Sequence, residues 1–316
     1  MRAKPLERFM HVHVCIPHYA KELADPADNP HGYGSLRAGS KFRRSLALNR
    51  CLHGLLGLQR QRLMTLFNYV QKRIDHFPSN YPSLELTISV CSDGEHQLDE
   101  VLDLFRHQIE KVELQLEDPR QLPLACRDHL INNRSGADLL MYLEDDLVIH
   151  DPAFFDKQSW FLEKTEHRFS LMPHRYEPVH QGAIDRLLVD GPLPPQYIQR
   201  FMQPKLHAAK GSYCGEEVQF DLTNNPHSGC FVVSAQQAEE LSQKKLPREG
   251  FVGPLETAAT LTVLHRYPVM KPSLENWQFL QVEHGHPSFR SYLKTYPHQA
   301  MTLAQPQTAA PDEQAS

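Results

Sequence analysis

Three consecutive acids, Glu144-Asp145-Asp146, follow the apolar run Leu139 to Leu143. Carboxylates this close at the end of a buried strand repel one another, and a divalent cation relieves that repulsion. All-oxygen ligation favours Mg2+ or Mn2+, which take one or two carboxylates and complete their shell with water and substrate phosphates. Side chains alternate along a strand, so Glu144 and Asp146 are expected on one face and Asp145 on the other. Open α/β sheets bind ligands beyond the carboxyl ends of their strands, which is where these acids fall. Taken out of that context, the same tripeptide reads as a solvated acidic loop. Arg37, Arg43 and Arg44 offer planar guanidinium groups suited to a diphosphate, the alternative being a solvated basic helix start. His11 and His13 share a strand face, as zinc ligands of some hydrolases do.

Periodicity supplies the elements that would hold these groups. Residues 11–17 alternate and stop at Pro17, which predicts a first strand. A polar, turn-rich stretch over 20–40 reads as a long loop, and long loops in compact domains tend to be functional. Residues 42–75 read as helical, with a leucine-rich first half continued by Met64, Leu66 and Val70, and with Gly54 and Gly57 leaving room for a kink or a break. A strand over 84–91, a helix over 97–108, a short strand over 111–116 and a helix over 121–134 follow, with Gly136 as C-cap. This β-α alternation over the first 150 residues predicts a parallel sheet with right-handed crossovers. The second half is mixed. Strands are expected over 168–172, 228–234 and Trp277 to Leu280, and helices over 235–245, with Ser234 as N-cap, and over 254–266, with Pro254 near the start. Glu217 and Asp221 read as part of a loop that Gly211, Gly215 and Gly229 would let hinge as a lid. The tail, residues 301–316, is polar and rich in Ala and Pro and is expected to be disordered.

Composition narrows the function classes. The chain has 316 residues, 41% of them hydrophobic and 22% charged, enough to build a core. Its net charge of −5 argues against a nucleic-acid binder. The mean hydropathy is −0.49 and no apolar run approaches the roughly 18 residues of a membrane helix. The N-terminus shows no signal-peptide pattern, so a cytoplasmic protein is expected, with peripheral docking on a membrane left open. The six cysteines form no C-x-x-C pair and read as buried free thiols of a reducing compartment.

The run Tyr142 to Ile149, with Pro152 and Phe154-Phe155 beyond it, resembles the acidic motif of GT-A-fold glycosyltransferases, closest to the E-D-D variant of D-x-D. Ile16-Pro17 is similar to the end of their first nucleotide-binding strand, and Cys91 to Gly94 to the end of the second. The resemblance covers roughly residues 10–290, and the acidic motif is its specific part. It implies a single GT-A-like α/β domain over 1–300, with a Rossmann-type, mostly parallel mixed sheet flanked by helices. Residues 10–150 would bind the nucleotide; residues 151–300 would complete the metal site and take the acceptor. It further implies a metal-dependent hexosyltransferase acting on a nucleotide-diphosphate sugar, UDP-linked by preference, with Mn2+ or Mg2+ as cofactor. Asp146 would hold the metal, completed by His284, or by His286 in its place. Glu144 would face the ribose or assist the metal shell, and Asp93 would touch the base or ribose. Pro17, Asp145 and Arg37 would line the donor. Glu256, at the start of a late helix, matches the place of the base in inverting members, with Asp221 and Glu217 as alternatives; for Glu256 the bland alternative is a favourable acid in a first helical turn. The acceptor (glycan, lipid or small molecule) and the stereochemistry stay open, and no nucleic acid is expected as a partner.

Three rival readings share parts of the pattern. A metal-dependent hydrolase would use His11 and His13, although eight β-α units are not in sight. A sugar-nucleotide pyrophosphorylase would carry a Gly-rich, Arg-containing signature after the first strand, where Pro17-His18-Tyr19 stands. A non-catalytic nucleotide- or partner-binding protein would keep the fold without the chemistry.

Overall fold

A computed structural model describes residues 9–21, 39–79, 81–134, 136–182, 184–194, 196 and 208–300. Arg37, most of the expected long loop and the 301–316 tail lie outside the described residues. In chain order, β1 (Phe9–Pro17) leads to α1 (Lys41–Leu56), a hairpin of β2 (Leu63–Asn68) and β3 (Arg73–Pro78), then β4 (Ser83–Ser92) and α2 (Asp99–Leu102). Next come β5 (Glu110–Glu113), α3 (Leu122–Asn132), β6 (Leu139–Leu143), β7 (Leu147–Val148) and α4 (Phe154–Lys164). The second half carries β8 (Ser170–Leu171), β9 (His174–Gln181), β10 (Ile184–Leu188), β11 (Ala208–Tyr213), β12 (Glu216–Leu222) and β13 (Cys230–Ser234). It ends with α5 (Ala235–Ser242), a helix from Pro254 to Leu264, β14 (Val269–Pro272) and β15 (Gln281–His284).

The main sheet has the order β13-β6-β1-β4-β5. β1, β4, β5 and β6 are parallel, and β13 closes one edge antiparallel to β6. This is the mostly parallel mixed sheet expected from the sequence. Met10, Val12, Val14 and Ile16 point to one face, where α1 contributes Leu48, Leu52 and Leu55 and α4 contributes Phe154, Phe155 and Phe161. Cys15 points to the other face with Leu124 and Leu130 of α3 and Leu241 of α5. Strands covered on both faces become apolar on both, which explains why β6 reads Leu-Leu-Met-Tyr-Leu without alternation. Two four-stranded sheets, β10-β9-β15-β7 and β11-β12-β14-β8, form the second half.

Several elements differ from the sequence reading. The helix expected over 42–75 ends at Leu56, and a two-stranded ribbon follows. Met64 and Leu66 are two residues apart, a strand period rather than a helical one. Asn68 Oδ1 accepts the Gln71 N–H and starts the ribbon's turn. The region around Glu217 and Asp221 is no lid loop: both lie on β12, paired in register with β11, and Gly215 (φ +89°) makes the tight turn between the two. Residues 274–279 form a 3-10 turn, so the strand starts later and contains Glu283 and His284. α3 ends at Asn132, which makes Gly136 a separate turn residue (φ +71°) rather than a C-cap. The helix after 97 is short, running over 99–105 with a 3-10 end. Ser234 does cap α5, with a reciprocal bond from Gln237, and Pro254 opens the later helix. Five cysteines are buried free thiols, whereas Cys214 is exposed beside the β11–β12 turn.

The α1 leucines are core while the ribbon's apolar side chains are exposed, and the two should therefore respond differently to truncation. Leu52→Ala should cost about 2–5 kcal/mol in urea unfolding, and Val70→Ala, at a position 92% exposed, should stay within about 0.5 kcal/mol. Equal losses would contradict this packing.

Candidate functional site

The three acids lie just past the last residue of β6, in a turn closed by the Leu147 N–H on the Glu144 carbonyl. Strand alternation stops at Leu143, so the expected split of Asp145 from Asp146 is not observed: Arg44 of α1 binds both. Asp145 is consumed internally. His18, fully buried just after β1, accepts the Leu98 N–H on Nε2 at 3.1 Å, which puts its proton on Nδ1, donated to Asp145 Oδ2 at 2.7 Å. Asp146 Oδ2 takes Arg44 at 3.3 Å and lies 3.7 Å from Nε2 of His284. β15 brings His284 there by pairing antiparallel with β7, His284 opposite Leu147. The Gly285 N–H also reaches the Asp146 carbonyl, an approach that leaves only 2.9 Å for a Cβ at that position.

Glu144 is held from the other side. Its amide binds the Gly229 carbonyl at 3.0 Å, and its Oε2 would be 2.7 Å from a Cβ at Gly229, whose φ is +67°. Position 229 must be glycine on both counts. Arg175 of β9 stands 3.9 Å from Glu144 and 2.9 Å from Asp190. Lys271 of β14 lies 3.5 Å from Asp190 and donates to the His227 carbonyl at 2.7 Å. Glu177, fully buried on β9, accepts Nδ1 of His284 at 2.8 Å together with the N–H groups of Ser288, Phe289 and Arg290. His284 is thereby set between two carboxylates.

The electrostatics follow from these contacts. Burial lowers the affinity of His284 for its proton, but Asp146 and Glu177 together outweigh it and push the group up to about 9. Burial would raise Asp146, yet the bonds from His284 and the charge of Arg44 hold it well below the usual carboxylate range. Glu144 is pushed up to about 8, chiefly by burial, against the pull of Arg175. Burial, with Arg175 nearby, lowers His227 to about 3, and burial also lowers Lys271.

Does this donor set suit a divalent cation? Among the described residues, no group of three or more His, Cys, Asp or Glu is gathered into a ready-made cage. Asp146 Oδ1 and Glu144 Oε1 are nevertheless buried without a hydrogen-bond partner, beside His284. Two orphan carboxylate oxygens and an imidazole suit an open site whose remaining ligands come from water or substrate, as Mg2+ and Mn2+ accept. A cation there must displace the His284 proton.

The other expected residues are placed as follows. Glu256 spends Oε2 on the Gly253 N–H at 3.1 Å, a capping bond, and its charge also acts on Glu144. Asp221 pairs in register with Lys271 across β12 and β14, in a different sheet from β6. Glu217 is ion-paired with Lys210 on the exposed hairpin. Pro17 ends β1 beside Cys91, and Asp93 follows β4, accepting the N–H groups of Glu95 and His96 and pairing with the His96 ring at 2.8 Å. Ala20, Lys21, Ser40, Lys41, Arg44 and Gln97 line a cleft of about 140 Å³ at this carboxyl edge. His11 and His13 bond the hydroxyls of Thr87 and Ser89, which leaves no zinc-like pair. His18, Arg175, Glu177, Asp190 and Lys271 were not singled out by the sequence. Only Glu177, an acid in a strand otherwise suited to burial, carries a usable signal there.

No protein-family model and no curated protein matches the chain. Solved structures do. Residues 1–349 of TarS from S. aureus share 12% identity, with 83% of this chain and 58% of that one covered and a TM-score of 0.41. The same TarS segment in complex with UDP-GlcNAc gives 12%, 83%, 56% and 0.40. GalNAc-T7 with UDP, GalNAc and Mn2+ gives 12%, 88%, 43% and 0.43. The chain thus spans less than two thirds of each of these structures, and at this level of likeness their activities do not transfer to it.

The two raised pKa values set a direction for stability. His284 and Glu144 bind protons more tightly folded than unfolded, where their ordinary values are 6.5 and 4.5. The contribution of His284 is complete below pH 6.5 and disappears as pH rises through about 9. Ionising the buried Glu144 costs stability from pH 4.5 up to about 8. Asp146 acts oppositely, but only below its ordinary 3.8. His227, lowered to about 3, opposes this trend below pH 6.5, so the contribution of His284 is read as a difference between two chains above that pH. In chelator-treated buffer the advantage of the wild type over His284→Gln in urea midpoint should shrink between pH 6.5 and about 9. A difference that is flat or grows over that range would contradict the assignment.

Proposed function

We propose that this chain is a glycosyltransferase that moves a sugar from a nucleotide-diphosphate donor, UDP-linked by preference, to an acceptor hydroxyl. The observation that carries the reading is the acidic turn at the carboxyl end of parallel β6, with unpartnered oxygens on Glu144 and Asp146 next to His284. The GT-A-like layout of the sheet and the E-D-D sequence support it. Asp146 and His284 would hold Mn2+ or Mg2+, with Glu144 assisting. Bound there, the ion supplies positive charge against the departing diphosphate.

The chain's own residues do the rest. Arg44, already fixed by Asp145 and Asp146, lines the cleft together with Lys21 and Lys41; these cations suit the phosphates. Asp93 and Pro17, at the ends of β4 and β1, frame the place for base and ribose, and Arg37 is proposed for the same donor. Asp145 acts through position: clamped by His18 and Arg44, it fixes the turn that carries its two neighbours. Transfer breaks the bond between the anomeric carbon and the diphosphate oxygen and forms one to the acceptor oxygen. The acceptor proton passes to a carboxylate, for which Glu256 is proposed because its charge already reaches Glu144, while Asp221 stands on another sheet.

The experiment is thermal unfolding with a panel of nucleotide sugars, with Mn2+ or with chelator. A donor at 100 times its dissociation constant stabilises by about 2.7 kcal/mol, a shift of a few degrees for a chain of this size. The shift should need both metal and one donor, and Asp146→Asn should abolish it. A shift retained in that variant, or none with any donor, would overturn the reading.

A further inference from the structure

Among the described residues, no layer packs on either face of the β2–β3 ribbon. Its two strands form a sheet of their own. At its root, Arg60 grips Asp156 through two bonds, at 2.6 and 2.9 Å, and makes a single bridge to Leu84 of β4. Beyond that root, pairing in register sorts the side chains into two faces. Met64 pairs with Phe77 on one, beside Leu66, and Phe67 pairs with Ile74 on the other, beside Leu63. All six are exposed. The turn adds Tyr69 and Val70, the latter 92% exposed. Isolated two-stranded hairpins are marginal in water, and exposed apolar surface of this extent marks an interaction site.

Charge and shape narrow the occupant. Residues 41–78 contain eight Lys and Arg against the single acid Asp75, in a chain whose net charge is −5. Four of the eight are paired with carboxylates of the body: Arg44, Arg60, Lys41 with Glu100 and Arg50 with Glu283. On the ribbon and at its root, Arg73 pairs with Asp75 at 2.7 Å, Arg62 lies over the Phe9 ring at 5.6 Å, and Lys72 stands at the turn. The Lys72 ammonium lies over the face of the Tyr69 ring, 3.7 Å from its centroid, so the turn presents a cation and an aromatic ring together. A protein that docks on a sheet face covers one face, and a second copy stacked on the ribbon leaves the outer faces wet. A fluid apolar phase covers both faces and the turn at once. Backbone groups along the ribbon's free edges limit the depth, since unpaired N–H and C=O groups are costly in the hydrocarbon core.

We infer that the β2–β3 ribbon is an interfacial anchor that inserts its apolar side chains shallowly into an anionic lipid surface, with Lys72, Arg73 and Arg62 at headgroup level. The inference stands apart from the sugar-transfer reading and survives its failure.

The test is co-sedimentation of the full chain with vesicles of phosphatidylcholine alone and of phosphatidylcholine mixed with phosphatidylglycerol. The wild-type chain should sediment with the anionic vesicles, less with the neutral ones, and less as salt rises. The pairs Phe67→Ser with Ile74→Ser and Met64→Ser with Leu66→Ser disrupt one face each. Each pair should weaken binding by more than about tenfold with the body's thermal unfolding unchanged, and Lys72→Glu should weaken binding to the anionic vesicles alone. The inference is overturned if wild type ignores both vesicle types or if only one face matters. It is also overturned by a concentration-dependent dimer, lost in the ribbon variants, without vesicle binding; that outcome assigns the ribbon to a second copy.

Discussion

Neutralising three adjacent carboxylates at the end of β6 is the constraint on which the rest of the site depends. No single element does it. Arg44 comes from α1, His18 from the end of β1, His284 from β15 and Arg175 from β9. Removing buried charges from water is unfavourable unless each is paired, so the turn can form only when these four elements have assembled around it. Long-range structure and local chemistry are coupled there.

The coupling explains the architecture of the second half. β15 reaches the turn by pairing with β7 on one side and β9 on the other. β9 carries Arg175 and Glu177 into the same space, the first toward Glu144 and the second behind His284. Glu177 also gathers the N–H groups of Ser288 to Arg290, so the chain after β15 is tied to the group that orients the histidine. Hydrogen bonding around the turn is incomplete: Glu144 Oε1 and Asp146 Oδ1 lack hydrogen-bond partners, and so do Arg44 Nε, Arg175 Nε and Asp190 Oδ2. Unsatisfied buried acceptors and donors concentrated around one turn suit a ligand that brings both positive and negative charge.

Much of this was legible in the sequence, for physical reasons. β1 reads as a strand by its alternation and β6 as an apolar run covered on both faces, and the acids stand out because they interrupt the second of these. His284 could be placed only by resemblance, since its partner Asp146 is 138 residues away along the chain. The cations were harder. Arg175 and Lys271 occur in strands whose alternation gives no sign that their charges point inward, and His18 looks like an ordinary residue after a proline. The ribbon misled because its apolar residues are exposed: periodicity arguments assume a buried face, and among the described residues nothing covers this one. The hairpin of β11 and β12 misled for the opposite reason, its glycines suggesting a hinge where one of them makes a tight turn and another lies against Trp160.

The central claim is that the open oxygens of the acidic turn and His284 receive a divalent cation while Arg44 and His18 keep Asp145. Crystals grown with UDP and Mn2+, measured at the manganese absorption edge, test it most directly. The account expects one anomalous peak within bonding distance of Asp146 and of Nε2 of His284, with the His18–Asp145–Arg44 clamp unchanged. A peak elsewhere, or UDP bound with no manganese at the turn, would contradict it.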